Sequence, residues 1–180
     1  MLISLWPYMI PLFLVYVAEY TLQAGTWTAI GFPVQDKQAR NRFYEYSNWM
    51  YQIGVFFSRS SGTIYTANMF VLWLMPILQC LNVLFFWWVA KDQILYNNSL
   101  LLIVCFYVGL LGGAVYINGY TRICRDLPPE HREFALSSTS VAESVGIVVA
   151  DISGLFLQAC LYTIHNIPGA VVPCPTRNMW

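Results

Sequence analysis

Three acidic residues, Glu19, Glu143 and Asp151, lie inside long apolar runs of this 180-residue chain. An ionisable group in a bilayer-spanning run is costly, so its side chain usually faces the interior of a helix bundle and has a function. Such a carboxyl group can bind a cation or carry a proton. The alternative is that it only fixes helix packing through a hydrogen bond. The two interpretations weigh equally for Glu19 and Asp151, and for Glu143 we favour function.

Helical periodicity places polar or small partners beside two of these acids, because residues three or four apart share one helical face. Around Glu19 the shared face is polar, and around Glu143 it is built from small residues that can line a cavity. Both faces are expected to turn away from lipid, whereas Asp151 falls on the flank of its helix. The two faces are formed by Tyr16, Glu19, Tyr20 and Gln23 and by Thr139, Glu143, Gly146, Ala150 and Ser153.

A second concentration of charge, Glu130-His131-Arg132-Glu133, lies in the stretch LPPEHREFALSSTSVAES. No second histidine follows at the zincin spacing and the chain has no G-x-S-x-G motif, so we expect no enzyme, no cofactor and no metal site. The acids complement the start of the next helix. The cluster is then either a solvated helix start or a gate at the membrane surface, in which Arg59 pairs with it.

The composition is that of a polytopic α-helical membrane protein. Hydrophobic residues make up 58% of the chain and charged residues 10%, against about 25% in soluble domains. Nine acidic and nine basic residues leave no basic field for nucleic acid. The five cysteines form no C-x-x-C pair and are odd in number, so we predict neither a disulfide nor a zinc framework.

A helix needs about twenty mainly apolar residues to cross the hydrocarbon core, and five segments approach this length. The first is a membrane helix and not a signal peptide, because no basic residue precedes Lys37. Residues 25–42 are expected along an interface, with Trp27 and Phe32 dipping in. We assign residues 1–165 to one transmembrane bundle and 166–180 to a tail. The predicted spans are Leu2–Ala24, Phe43–Ser58, Ala67–Ala90, Leu95–Tyr120 and Phe134–Ile164.

Glycines predict where helices approach closely. Gly109 and Gly113 form a small-xxx-small pair, which favours close helix contact over a role in solute binding. Gly146 is assigned to packing on the fifth span, where it is also a candidate bend. Asn118, near the end of the fourth span, either contacts a solute or bonds to a neighbouring helix.

Five blocks, in one order, resemble the C-terminal half of the battenin family of lysosomal membrane proteins. The sharpest are GVFFSRSS and EHREFA, and the match covers most of this chain but about half of a full-length member. The resemblance implies a major-facilitator-type fold. It assigns Glu19, Tyr20, Tyr51, Gln52, Asn118 and Glu143, with Gln23 beside them, to a substrate or proton pathway, and Arg59 and residues 130–133 to a cytosolic gate. The blocks are VYVAEYTLQAG, YQIGVFFSRSS, LQCLNVLFF, GLLGGAVYIN and EHREFALSSTS.

The same resemblance implies a lysosomal or vacuolar membrane protein that takes part in solute efflux, lysosomal pH regulation and basic amino acid homeostasis. Its partners would be the bilayer, a missing N-terminal half or a second copy, and a solute such as a basic amino acid or a glycerophosphodiester. Val108 departs from the family, which often has an acid there, and Asp151 replaces an expected small residue.

Two alternatives stay open. One is a membrane scaffold in endolysosomal trafficking that transports nothing, and the other is an inactive truncated fragment. Positive charge does not decide the orientation, since the loops on the two sides hold four and five basic residues. The resemblance places the Arg59 and 130–133 loops in the cytosol and residues 25–42 and 91–98 in the lumen, in agreement with a sequon at Asn97.

Overall fold

The computed structural model describes residues 5–63, 66–95 and 98–175, and these residues form an all-helical bundle. A π-helical segment, Leu22–Thr26, and a 3-10 turn, Trp27–Ala29, continue the first helix. Residues 2–4 of the first predicted span and the sequon residue Asn97 lie outside the described residues. The five long helices are α1 (Trp6–Thr21), α2 (Lys37–Ser60), α3 (Met69–Asp92), α4 (Asn98–Asp126) and α5 (Pro129–Ile164).

Local sequence signals explain where three of these helices begin. The carboxylate of Asp36 accepts a hydrogen bond of 2.9 Å from the amide of Gln38 at the start of α2. Asn68 caps α3 in the same way. Pro129 occupies the first helical position of α5, where its missing N–H leaves no bond unmade, and Glu130 follows it in the first turn. Glu130 to Glu133 therefore do open the fifth helix.

The helices pack as a membrane bundle. α2 runs along α4 and α1 along α5, while α3 lies against α1 and α4. Of the described helices, α3, α4 and α5 are long and apolar enough to cross a bilayer. The outer faces carry large apolar side chains, such as Phe70 and Phe56, which are 73% and 67% exposed. Such a surface is suited to contact with lipid, and the predicted polytopic helical membrane fold is confirmed.

Contacts between helix ends define two ends of the bundle. At the Arg59 end, where α2 and α4 finish, the hydroxyl of Tyr8 in α1 donates a 2.9 Å hydrogen bond to Asp126. At the opposite end, which we call the tail end, the hydroxyl of Tyr162 in α5 donates a 3.2 Å hydrogen bond to the Thr28 carbonyl. Successive helices therefore run antiparallel between these two ends.

The segment 25–42 differs from the prediction of an interfacial connection. Trp27 is fully buried in the bundle core. Its indole ring makes edge contacts with the rings of Tyr51 and Phe86, with centroid distances of 6.2 Å and 5.8 Å. Residues from Lys37 onward already belong to α2. The π-helical segment carries the chain inward beyond α1, so the tryptophan meets protein where lipid headgroups were expected.

The prediction that the chain forms no disulfide was also wrong. Cys160, in the last turns of α5, is bonded to Cys174 in the segment that follows the helix, with the two Cα atoms 4.7 Å apart. The chain turns back after α5, and the amide of Ile167 donates a 2.8 Å hydrogen bond to the Tyr162 carbonyl. Motif spacing and an odd count could not reveal this pairing, because it depends on that reversal.

Candidate functional site

The carboxyl group of Glu19 is enclosed between α1, α2 and α4. The side chain is 1% exposed, and the hydroxyl of Tyr51 in α2 donates a hydrogen bond to its Oε1. On the α4 side, Gly112 leaves the space that the carboxyl occupies, since a Cβ there would lie 2.8 Å from Glu19 Cδ. Within the described residues Oε2 has no hydrogen-bond partner. A buried oxygen with a free lone pair is available to a solute, a water molecule or a proton.

Two tyrosines of α1 flank this carboxyl group. The rings of Tyr16 and Tyr20 stack with their centroids 5.9 Å apart, and both side chains interact electrostatically with Glu19. The π-helical segment Leu22–Thr26 begins one turn beyond Glu19. Such segments are frequent at functional sites, because they alter the register of the side chains that follow. Here that register change brings Trp27 against Tyr51.

Glu143 approaches the same region from α5. Its side chain is 8% exposed, the Tyr120 side chain of α4 hydrogen-bonds to it, and its Oε1 has no partner among the described residues. Gly146, one turn further on, lies against α1, where an added Cβ would be 3.1 Å from the Phe13 carbonyl oxygen. This packing of α5 on α1 turns Glu143 toward Tyr16, with which it interacts electrostatically.

Arg59 supplies the positive charge of the site. Its guanidinium carbon lies 4.1 Å from the centre of the Tyr116 ring, a cation–π arrangement. The same charge acts on both Glu19 and Glu143. We call this whole group the acid–tyrosine cluster; its members are Glu19, Glu143, Arg59, Tyr16, Tyr20, Tyr51, Tyr116 and Tyr120.

The acid–tyrosine cluster has the chemistry for recognising a small polar solute. Its two carboxyl groups can each bind a cationic group or take up a proton, and the guanidinium can bind an anionic group. The tyrosine rings offer faces for a cation and hydroxyls for hydrogen bonds. Over the described residues, no three or more His, Cys, Asp or Glu side chains are placed to hold a metal ion.

The predicted gate pair between Arg59 and the 130–133 cluster is not formed in this structure, because Arg59 turns onto Tyr116 instead. Glu130, His131 and Glu133 are exposed. Arg132 donates a 2.9 Å hydrogen bond from Nε to the Leu127 carbonyl and so holds the short connection between α4 and α5.

Other predicted pathway residues lie apart from the two carboxyl groups or have other partners. Gln52 is exposed and lines a surface groove made by α2 alone. The Asn118 side chain accepts a 2.5 Å hydrogen bond from the Ala67 amide and donates one of 2.8 Å to the Ala114 carbonyl, so both of its ends are used. Gln23 is partly buried, and its Nε2 has no partner among the described residues.

The predicted packing glycines lie at close helix crossings. A Cβ on Gly109 would be 3.0 Å from the Tyr51 Cα, and one on Gly113 would be 3.0 Å from the Val55 Cα. On α5 the buried face contains Gly154, whereas Ser153, which we expected there, is exposed and bonds to its own helix.

Sequence reasoning missed Gly112 and Tyr120. The Tyr116–Tyr120 pair, spaced by four residues and with ring centroids 4.6 Å apart, could have been found as an aromatic stripe on α4. Gly112 could not have been found from the sequence, because its contact with Glu19 depends on how α1 and α4 meet.

Comparison with known proteins identifies the family. The family model described as CLN3 protein matches residues 1–164. Protein BTN1 of Chaetomium globosum is 38% identical over 158 residues, which cover 87% of this chain and 34% of that relative. Battenin of Canis lupus familiaris is 33% identical over 154 residues, covering 86% and 34%. Protein BTN1 of Saccharomyces cerevisiae is 32% identical over 167 residues, covering 85% and 40%.

The chain thus spans between 34% and 40% of the length of these three relatives. No solved structure matches it. The resemblance to battenin that the five sequence blocks indicated is confirmed. An all-helical membrane bundle that matches the family model over nearly its whole length leads to one conclusion: this chain belongs to the CLN3 protein family.

Proposed function

We propose that this chain forms one side of the solute pathway of a membrane transporter, with the acid–tyrosine cluster as the binding site. The observation that supports this most strongly is the burial and incomplete hydrogen bonding of the Glu19 carboxyl group. Its carboxyl group is 1% exposed, yet only one of its oxygens has a hydrogen-bond partner among the described residues. A carboxyl that served packing alone would be expected to have both oxygens satisfied, since an unmatched buried polar atom costs about 1–3 kcal/mol.

Charge arrangement supports a solute that carries a cationic group. Glu19 and Glu143 come from different helices, and the Arg59 charge acts on both. A cationic group of the solute would sit between the carboxyl groups and the tyrosine rings, and an anionic group would meet Arg59. Basic amino acids and glycerophosphodiesters with a cationic head both have this pattern. Protonation of either carboxyl would weaken cation binding, so the affinity for such a solute should fall as the pH is lowered.

A second bundle would complete the pathway. Transporters of the major-facilitator type, which the family resemblance implies, bind solute between two related bundles and expose it to each side of the membrane in turn. Because the chain spans about a third of its relatives' length, we propose that the second bundle is supplied by an N-terminal half or by a second copy. We place the assembly in a lysosomal or vacuolar membrane, with a role in solute efflux, organellar pH and basic amino acid balance and without enzymatic activity.

Solute movement across sealed membranes tests this proposal. Vesicles from cells that produce the protein and from cells that lack it are loaded with a labelled basic amino acid or glycerophosphodiester, and efflux is followed with and without a pH gradient. We expect faster efflux of at least one of these solutes when the protein is present. Efflux indistinguishable from that of the empty vesicles for both classes would refute transport and would favour the membrane scaffold.

A further inference from the structure

A line of polar side chains runs along one side of α5. Seven residues are close to two full turns of an α-helix, so side chains seven positions apart lie one above the other. From position 137 to position 158 every seventh residue is polar, and the serine at position 140 lies on the same side. We call this line the α5 stripe. Its members are Ser137, Ser140, Ser144 and Asp151, which are exposed, and Gln158, which is partly buried.

The α5 stripe separates two faces of the helix that differ from it. On one side lies the buried face that packs on α1, with Gly146 and Ala150. On the other side lie exposed apolar side chains, such as Val145 and Ile152, which are 50% and 53% exposed and suit lipid. A helix that met only α1 and lipid would need just these two faces. The exposed polar stripe between them therefore indicates a third kind of surroundings.

Asp151 shows that these surroundings are not lipid. Thirteen residues, or about 20 Å of helix, separate it from Ile164 at the end of α5. Since α5 is long and apolar enough to cross a hydrocarbon core about 30 Å thick, the carboxyl group lies at depth. Lysine and arginine can extend their charge from such a depth to the headgroups, but an aspartate side chain is too short.

The serines of the stripe do not require water, whereas Asp151 does. Ser144 satisfies its own helix by donating a 2.9 Å hydrogen bond to the Ser140 carbonyl. A carboxylate accepts hydrogen bonds and has no such solution within its own helix. Among the described residues no lysine or arginine forms an ion pair with Asp151. Its charge must therefore be met by water or by a cation from outside this bundle.

The α5 stripe borders the acid–tyrosine cluster. The Tyr120 side chain hydrogen-bonds to both Glu143 and Ser140, so one cluster residue joins the buried acid to the stripe. Tyr20 interacts electrostatically with Asp151. Glu143 is 8% exposed, and its Oε1 has no partner among the described residues. The stripe thus continues, toward the tail end, a site that already holds an unmatched buried carboxyl oxygen.

We infer that the α5 stripe lines a water-filled groove and that Asp151 is a further binding position in it for an ammonium or guanidinium group. A groove with low-dielectric walls and one sign of charge concentrates the opposite ion. Eight residues separate Glu143 from Asp151, so a cationic group would have a second position about 12 Å from the first. The inference deepens the proposed function and rests on it only for the identity of the cation as part of a solute.

Thiol reactivity along α5 tests for the groove. In a Cys80→Ser, Cys105→Ala, Cys124→Ser background, Ser144→Cys places a thiol on the stripe and Val145→Cys places one at the same depth on the apolar face. Permeabilised membranes are treated with trimethylammonioethyl methanethiosulfonate, a hydrophilic cation. Because the reactive thiolate forms in water, the thiol at position 144 should react about tenfold faster or more.

Two results overturn the groove. One is a rate at position 144 no higher than at position 145, which would mean that lipid or a packed helix covers the stripe. The other is a spontaneous disulfide between two copies through position 144, which would put a second copy of the chain on the stripe. The background protein without an added thiol is the blank for both measurements.

The charge of the reagent tests Asp151. In Ser144→Cys protein at low ionic strength, rates are measured with the cationic reagent and with anionic sulfonatoethyl methanethiosulfonate. Asp151 lies seven residues away, about 10 Å, where one charge favours the cation over the anion by about two- to fourfold. Asp151→Asn should lower the ratio of the two rates by this factor. Glu130→Gln, about 21 Å away on the same helix, should change the ratio by less than about 1.5-fold.

An unchanged ratio in Asp151→Asn overturns the cation position even where the groove is confirmed. Asp151→Ser, which matches the rest of the stripe, is a second neutral variant and should give the same fall. No step of these measurements involves transport. A protein that moves solute but shows no reagent preference contradicts this inference alone, and one that shows the preference but moves no solute contradicts the proposed function alone.

Discussion

Replacing Gly112 with alanine tests whether the Glu19 carboxyl group lies where the structure places it. The three atoms closest to a Cβ at position 112 all belong to Glu19, with Cδ at 2.8 Å and Oε1 at 3.1 Å. Gly112→Ala must therefore displace this carboxyl group, which has almost no room to move, and weaken its hydrogen bond with Tyr51. A Glu19→Ala background removes the atoms that the new methyl group would meet.

The expected size follows from these contacts. Overpacking of a filled site costs about 1–3 kcal/mol, whereas alanine in place of glycine inside a helix gains about 1 kcal/mol. Alone, Gly112→Ala should lower the free energy of unfolding by up to about 2 kcal/mol. In the Glu19→Ala background only the helix-propensity gain remains, so the same change should stabilise by up to about 1 kcal/mol. The coupling energy of the two changes is then about 1–3 kcal/mol.

Equilibrium unfolding in mixed detergent micelles, followed by far-UV circular dichroism, measures the four free energies of this cycle. A matched cycle combines Glu19→Ala with Gly113→Ala, whose Cβ would meet the backbone of Val55 and the Ser58 hydroxyl. Removing the Glu19 carboxyl gives no relief there, and we expect a coupling energy within about 0.5 kcal/mol of zero. If Gly112→Ala costs the same with and without the Glu19 carboxyl, the placement of Glu19 against α4 is wrong.

Three further predictions use the same unfolding measurement. Asn118→Ala should lower the free energy of unfolding by about 1–3 kcal/mol, because it leaves a buried amide unpaired. Gln52→Ala, at an exposed position, should change it by less than about 0.5 kcal/mol; a reversed ranking of these two would contradict their assigned environments. Arg59→Ala and Tyr116→Leu should couple by about 0.5–1 kcal/mol, whereas Arg59→Ala and Glu133→Ala should be additive, and the opposite result would restore the gate pair.

Helix positions could be predicted from the sequence because the bilayer imposes them. The cost of exposing backbone to lipid forces long apolar runs into helices, and periodicity then predicts which face is buried. Glu19 and Glu143 are buried as expected from their faces, with 1% and 8% exposure. On α5 the prediction failed at one position, where Gly154 and not Ser153 is buried. Both residues lie about one helical turn beyond the buried Ala150, so the spacing alone does not distinguish them.

The partners of these residues could not be predicted, because they depend on how helices meet. Arg59 looked like a partner for acids at the same membrane surface, but a nearby tyrosine ring holds it. Trp27 has the composition of an interfacial anchor, yet the π-helical segment before it turns the side chain into the core. The Cys160–Cys174 bond depends on a chain reversal that neither cysteine's neighbours indicate.

The most direct test of the central claim, that the acid–tyrosine cluster binds the solute, is the initial rate of solute efflux in Glu19→Gln compared with Glu133→Gln. The first change keeps the size of a buried side chain but removes a group that can ionise, and the second does the same at an exposed position. Loss of one hydrogen bond to a charged group, about 1.5–3 kcal/mol, predicts a rate about 10- to 100-fold lower for Glu19→Gln. Glu133→Gln should stay within about twofold of the wild type. Equal rates in the two variants, at equal protein levels, would contradict the claim.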